Sequence, residues 1–145
     1  MREAVVVFVG CGKLDPILEK AVRSELKKPT GKLTEADLEK VTELDLPLPQ
    51  ITDAGLKDVA KLQNLRILNL YAAHITDAGL KEVAKLQNLE WLRLEHNKIT
   101  DAGLKDVAKL QKLNWLWLND TKITDTGLEE VAKLQNLQML NLRGT

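Results

Sequence analysis

The sequence predicts an α/β solenoid, a right-handed coil of strand-and-helix units that share one parallel sheet. The first observation is a repeat. The stretch Ile51 to His74, ITDAGLKDVAKLQNLRILNLYAAH, is followed by near copies beginning at Ile75, Ile99 and Ile123, 24 residues apart. Second, every copy contains Leu-x-x-Leu-x-Leu, and a unit this short buries its apolar face only against neighbouring copies. Third, apolar residues at helical spacing precede these leucines, as at Leu56, Val59, Ala60 and Leu62. Each unit therefore holds one short helix and one short strand, and parallel strands joined this way cross over with right-handed sense.

Composition narrows the function classes. A chain of 145 residues, 44% hydrophobic and 29% charged, fits one globular domain. Lys+Arg and Asp+Glu both number 21, so no basic excess draws the chain to a phosphate backbone and nucleic acid is not expected as a partner. Cys11 is the single cysteine, which excludes an internal disulfide and a thiolate zinc cluster. No apolar run approaches the roughly eighteen residues of a transmembrane helix.

Residues 1–13, MREAVVVFVGCGK, are apolar without interruption from Ala4 to Val9. They resemble a bacterial lipoprotein signal, in which the cysteine, here Cys11, carries the lipid, although Glu3 and the short apolar run depart from that pattern. A β-branched strand covering the first turn of the solenoid, with Cys11 as a small hydrophobe, fits the same residues. The first reading implies a lipid anchor and the cell envelope, the second a cytoplasmic chain.

Residues 14–50 read as an N-terminal helical cap followed by a degenerate first repeat. Asp15 caps a helix predicted to run to Lys28, with Pro16 at its first position and Ile17, Leu18, Ala21, Val22 and Leu26 on one face. Pro29-Thr30-Gly31 breaks it. Thr34 with Asp37 starts a second short helix through a capping box, and Leu33 with Leu38 forms the staple. Residues 51–145 are four 24-residue repeats, the last truncated. Asp53 and its equivalents lie where a helix dipole favours an acid. Asn64, Asn88 and Asn136 are expected to take the left-handed conformation that ends each helix; Lys112 breaks the series. Strands are predicted at Glu43 to Asp45, Ile67 to Asn69, Trp91 to Arg93, Trp115 to Trp117 and Met139 to Asn141, with leucines inward. Lysines and acids of both signs alternate from Lys57 to Lys109 as a solvated helical face.

From Thr34 to Thr145 these features resemble the leucine-rich repeat family, with Ile-Thr-Asp-x-Gly-Leu similar to the repeats of bacterial surface and envelope proteins and to those of the cysteine-containing eukaryotic class. The resemblance implies an arc or horseshoe with a concave sheet, convex helices and a role in binding other proteins. The family's ladder asparagine falls at Pro49, Ala73, Asn97, Thr121 and Thr145. Only Asn97 keeps the amide; Thr121 and Thr145 can substitute in part through their hydroxyls, so the turns after the earliest strands are expected to differ from later ones.

The repeats vary chiefly in and just after the strand, and alternation points those residues onto the concave face. One column reads Glu43, Ile67, Trp91, Trp115, Met139; the next Asp45, Asn69, Arg93, Trp117, Asn141; the third Pro47, Tyr71, Glu95, Asn119, Arg143. Trp91, Trp115 and Trp117, flanked by Ile67, Tyr71, Arg93, Met139 and Arg143, form the expected partner-binding patch, with little effect on stability when a tryptophan is removed. The competing reading is that these aromatics stabilise the sheet by cross-strand packing. No enzyme, metal or cofactor is expected: His74 and His96 occupy different repeat positions, Ser24 is the single serine, and Glu95, His96 and Asp120 read as a hydrated rim. The second functional expectation is end-to-end self-association or a longer array, because Leu128, Val131, Leu137, Leu140 and Leu142 belong to a last repeat with no successor.

Overall fold

The structure, a computed structural model, describes residues 13–46 and 51–145. Both readings of the N-terminal stretch, including Cys11 as a lipid attachment point, lie outside the described residues, as do Pro47 and Pro49.

Among the described residues eleven elements follow in chain order: α1 (Pro16–Glu25), α2 (Glu35–Leu38), β1 (Glu43–Asp45), α3 (Leu56–Val59), β2 (Ile67–Asn69), α4 (Asp77–Val83), β3 (Trp91–Arg93), α5 (Asp101–Val107), β4 (Trp115–Trp117), α6 (Asp125–Val131) and β5 (Met139–Asn141). The strands make one parallel sheet in the order β1-β2-β3-β4-β5. Each residue pairs with its equivalent one repeat away, Leu44 with Leu68, Leu92 with Leu116. The predicted strands and their register are those observed. Neighbouring strands sit about 4.8 Å apart while packed helices need about 8–10 Å, so the stack bends with its sheet on the inside.

The central leucines of β1 to β4 are at most 2% exposed. With Leu65, Leu70, Leu89 and Leu94 they form one continuous core between sheet and helices. At its N-terminal end α1 closes that core with Leu18 and Val22. Asp15 caps α1, accepting from the Ile17 and Leu18 N–H groups, and its own N–H donates to Asp58 on α3 at 2.8 Å. The helix ends at Glu25 and not at Lys28. Lys27 turns left-handed (φ 51°), and the N–H groups of Lys27 and Lys28 close back on the Ser24 and Arg23 carbonyls, a Schellman turn taken by a lysine where glycine is usual. The capping box of α2 forms as expected. Lys28 donates to Asp37 at 2.7 Å and the Thr34 N–H at 2.9 Å, and these bonds, Lys28 first, bring the Asp37 carboxyl down to about 2.

The Ile-Thr-Asp-x-Gly segment proves to be a link between repeats. Asp53, Asp77 and Asp101 each accept two hydrogen bonds from the threonine one repeat on. Thr76, Thr100 and Thr124 donate their N–H at 2.8–2.9 Å and their hydroxyl at 2.5–2.6 Å. These threonines are the N-caps of the seven-residue helices α4, α5 and α6. The position one period before Asp53 is Pro29, which offers no carboxylate to Thr52. There α3 begins only after Gly55 and is four residues long. The glycine of the motif makes room for the link: a Cβ at Gly103 would run into the Asp77 carboxylate and the Leu80 methyl.

The asparagines correct the sequence reading. Asn64, Asn88 and Asn136 are not left-handed; among the described residues the non-glycine positions with positive φ are Lys27, Ala72, His74, His96 and Asp120. Their side-chain amides instead reach back one repeat to the carbonyls of Glu39, Gln63 and Gln111 at 2.8–2.9 Å. These carbonyls lie just beyond helices that have run out of partners. Lys112, in the odd repeat, donates to Asn88 Oδ1.

The turn after β2 differs from the later ones as expected, while the turn after β1 lies outside the described residues. The Asn97 side chain accepts from the Ile75 N–H and donates to the Leu70 and Leu94 carbonyls, whereas the hydroxyls of Thr121 and Thr145 each make one bond, to Leu118 and Leu142. After β2, where the ladder residue is Ala73, two residues, Ala72 and His74, are left-handed.

Replacing Asp77 by Ala is expected to cost about 2 kcal/mol, the scale of losing hydrogen bonds to a charged group. Helix propensity alone would make Gly103→Ala stabilising by about 1 kcal/mol, but the clash with Asp77 reverses the sign. In the Asp77→Ala background the same glycine replacement becomes less destabilising, with the Leu80 methyl as the remaining contact. Denaturant unfolding of the two single variants and the double variant measures this coupling, and strict additivity would refute it.

Candidate functional site

Because inward leucines alternate with outward residues, β2 to β5 present their flanking side chains on the concave face. Ile67, Trp91, Trp115 and Met139 stand in register across four strands. Trp115 is 37% exposed and Met139 41%, the two large hydrophobic residues left exposed among the described residues. Ile67, Trp91, Trp117 and Tyr71 are half-buried.

The three tryptophans form one cluster. Trp91 meets Trp117 edge to face, centroids 4.6 Å apart at 62°, and Trp115 stacks on Trp117 at 5.7 Å and 23°. Trp117 is thus enclosed by its neighbours while Trp115 faces outward. Cross-strand packing describes the first residue and an available contact surface the second. Ile67 and Met139 extend the apolar strip on either side.

Tyr71 and Arg93 belong to a second, polar cluster. Arg93 forks onto Glu95 at 2.9–3.3 Å, and that hydrogen bonding raises the Arg93 guanidinium above its ordinary value. Glu95 is 5% exposed; a carboxylate so buried needs such a partner. Arg93 also lies 5.4 Å from the Tyr71 ring centre, and Tyr71 meets His96 edge to face at 5.1 Å. Arg143 stands apart and exposed, its N–H donating to Asn141 Oδ1. The Glu95, His96 and Asp120 rim is divided: Glu95 turns to Arg93 while His96 Nε2 lies 3.5 Å from Asp120. Among the described residues no group of three or more His, Cys, Asp or Glu is arranged to hold a metal ion.

Sequence reasoning missed two pairs, one at the edge where the strands begin and one on this face. Arg66 forks onto Glu90 with two contacts of 2.9 Å; the signal was their opposite charge one period apart. Arg93 with Glu95 was written at a spacing of two residues, which places both side chains on one face of the chain.

A Leucine Rich repeat family model matches two successive windows, residues 61–84 and 85–108. Among solved structures, an internalin (inlF) from Listeria monocytogenes is 30% identical, with a TM-score of 0.68 over 89% of this chain and 36% of its own length. The chain therefore spans about a third of that internalin. An internalin C2 from the same organism is 20% identical over 88% of this chain and 93% of its own, at a TM-score of 0.37 that is too low to bear on the fold. No curated protein matches the chain in a sequence comparison.

Trp117→Ala is expected to lower stability more than Trp115→Ala, because Trp117 loses two ring contacts of about 0.5–1.5 kcal/mol each and Trp115 loses one. Thermal melts of the two variants measure the order, and a larger loss at Trp115 would mean that Trp117 does not hold the cluster together.

Proposed function

The chain belongs to the leucine-rich repeat family, and on that premise we propose that it is a non-catalytic interaction module that binds a protein partner through Trp91, Trp115 and Trp117 on its concave face. The observation that carries this reading is the adjacency of Trp115 and Met139, in register on neighbouring strands and exposed. Leucines complete the core without them, so this apolar surface is not required to close the fold. Tryptophan, tyrosine and arginine dominate interface energies because they bring large area or many donors at low entropic cost. Here they project from a sheet that is organised before any partner arrives. The non-catalytic part is supported by the pairing of Arg66 with Glu90, Arg93 with Glu95 and His96 with Asp120.

The test is partner capture by the immobilised chain from a lysate of the source cell, compared with Trp91→Ala and Trp115→Ala. Each substitution is expected to weaken capture by about 2 kcal/mol or more while the variants stay folded. Unchanged capture by both folded variants would sink the reading and leave the aromatics to sheet packing.

A specific observation favours a second reading, self-association through the face beyond β5. Leu128, Leu137, Leu140 and Leu142 are half-buried there, although Val131 and Leu134 are covered at 5% exposure. Ile123, Leu128 and Leu142 line a cleft of 320 Å³, and among the described residues β5 pairs on one side only. The opposite end of the core is closed by α1, so two copies would meet tail to tail. A solution mass that rises with concentration and returns to one chain in Leu128→Glu is expected on this reading; a single-chain mass at every concentration would exclude it.

A further inference from the structure

In the middle of the concave face Arg93 is closed on Glu95, and at the edge where the strands begin Arg66 is closed on Glu90. Its β1 end is different. Between α1 and β1 runs a groove of 260 Å³ to which Ile17 and Ala21 contribute apolar wall, with Glu25, Glu43 and Asp45 along it. Lys20 also lines it, so three carboxylates face one ammonium. Glu25 and Glu43 are exposed and make no ion pair among the described residues, and Asp45 accepts one bond, from Asn69. An apolar wall beneath an acidic rim is complementary to one kind of side chain, a long aliphatic stem that ends in a cation.

We propose that this groove receives a lysine or arginine of the protein partner, whose chain then crosses β2 in extended form and lays a large apolar side chain on Trp91 and Trp115. The proposal rests on the concave-face reading above and adds to it the charge, spacing and direction of the bound segment. Glu43 pairs with Ile67 and Ile67 with Trp91, so Trp91 lies about 10 Å and Trp115 about 14 Å from the groove at roughly 4.8 Å per strand. An extended chain covers about 3.3 Å per residue, which places the cation about three or four residues from the apolar anchor. At the far side exposed Arg143 stands beside exposed Asp120, so the acidic β1 end sets the direction of the bound segment. Exposed charges of this kind set direction and association rate while the aromatics supply affinity.

Selection of random phage-displayed peptides on the full chain tests the proposal. The expected outcome is enrichment of peptides with Lys or Arg about three or four residues from Leu, Ile, Phe or Trp. Synthetic copies should shift the intrinsic fluorescence, since all three tryptophans lie on this face. A Glu43→Lys/Asp45→Lys variant, and independently Glu25→Lys, should lose these peptides by about tenfold or more, with melting midpoints near that of the parent because the substituted side chains are exposed. Selected peptides without a basic residue, or a basic preference that survives charge reversal in both variants, would overturn the proposal and leave the concave face standing. Peptides held equally well by Trp115→Ala, or no enrichment on the parent chain, would overturn both.

Discussion

The bond from one repeat's aspartate to the next repeat's threonine is the constraint on which the helical side of the structure depends. Asp77 accepts the Thr100 N–H and hydroxyl, and Thr100 in turn opens α5. Where the link exists the helix spans seven residues, and at α3, where no carboxylate precedes Thr52, it spans four. The same bonds, from the Thr124 hydroxyl first and its N–H next, lower the Asp101 carboxyl from its ordinary value. One carboxylate thus does three things: it starts the helix after it, sets the offset between two repeats and requires glycine where it passes closest. The capping of a helix is here delegated to a neighbouring unit.

With the helices set from outside and the strands set by leucine, the residues between the leucines carry little structural obligation. The concave columns can therefore hold tryptophan, arginine, glutamate or methionine without a change of register, and the tightest packing on that face is between side chains of the face itself. Trp117 packs against Trp91 and Trp115, and Arg93 against Glu95 and Tyr71. What remains outward, Trp115 and Met139, is a small apolar area on a rigid base. A preformed surface of this kind loses little conformational entropy on binding.

The strands and their register were legible because two periods reinforce each other, 24 residues along the chain and two residues along the strand. Leu68 has one possible role once Leu44 and Leu92 are aligned with it. The Asp–Thr link and the asparagine bonds were not legible, for a physical reason: in a sequence that repeats faithfully, a residue and its partner have the same identities whether the bond stays within one unit or crosses to the next. Asn64 next to a helix end reads as a local terminator, yet its amide serves Glu39 of the preceding unit. Breaks in the pattern are what separate the two cases, and Lys112 donating to Asn88 and Pro29 preceding α3 are such breaks. On the concave face the columns followed from alternation, but which rings would touch depends on side-chain rotamers.

The aspartate link has a mechanical side as well. Each repeat touches only its neighbours, so a force along the solenoid axis loads the interfaces as springs in series, and the one with the fewest bonds yields first. Three of these interfaces carry two aspartate bonds apiece. Among the described residues the one ahead of α3 carries none, and is held by strand pairing, by Asp15 bonded to Asp58, by Asn64 bonded to Glu39 and by Asn69 bonded to Asp45. Under tension the joint next to the cap is loaded without the aspartate bonds that the three following joints share.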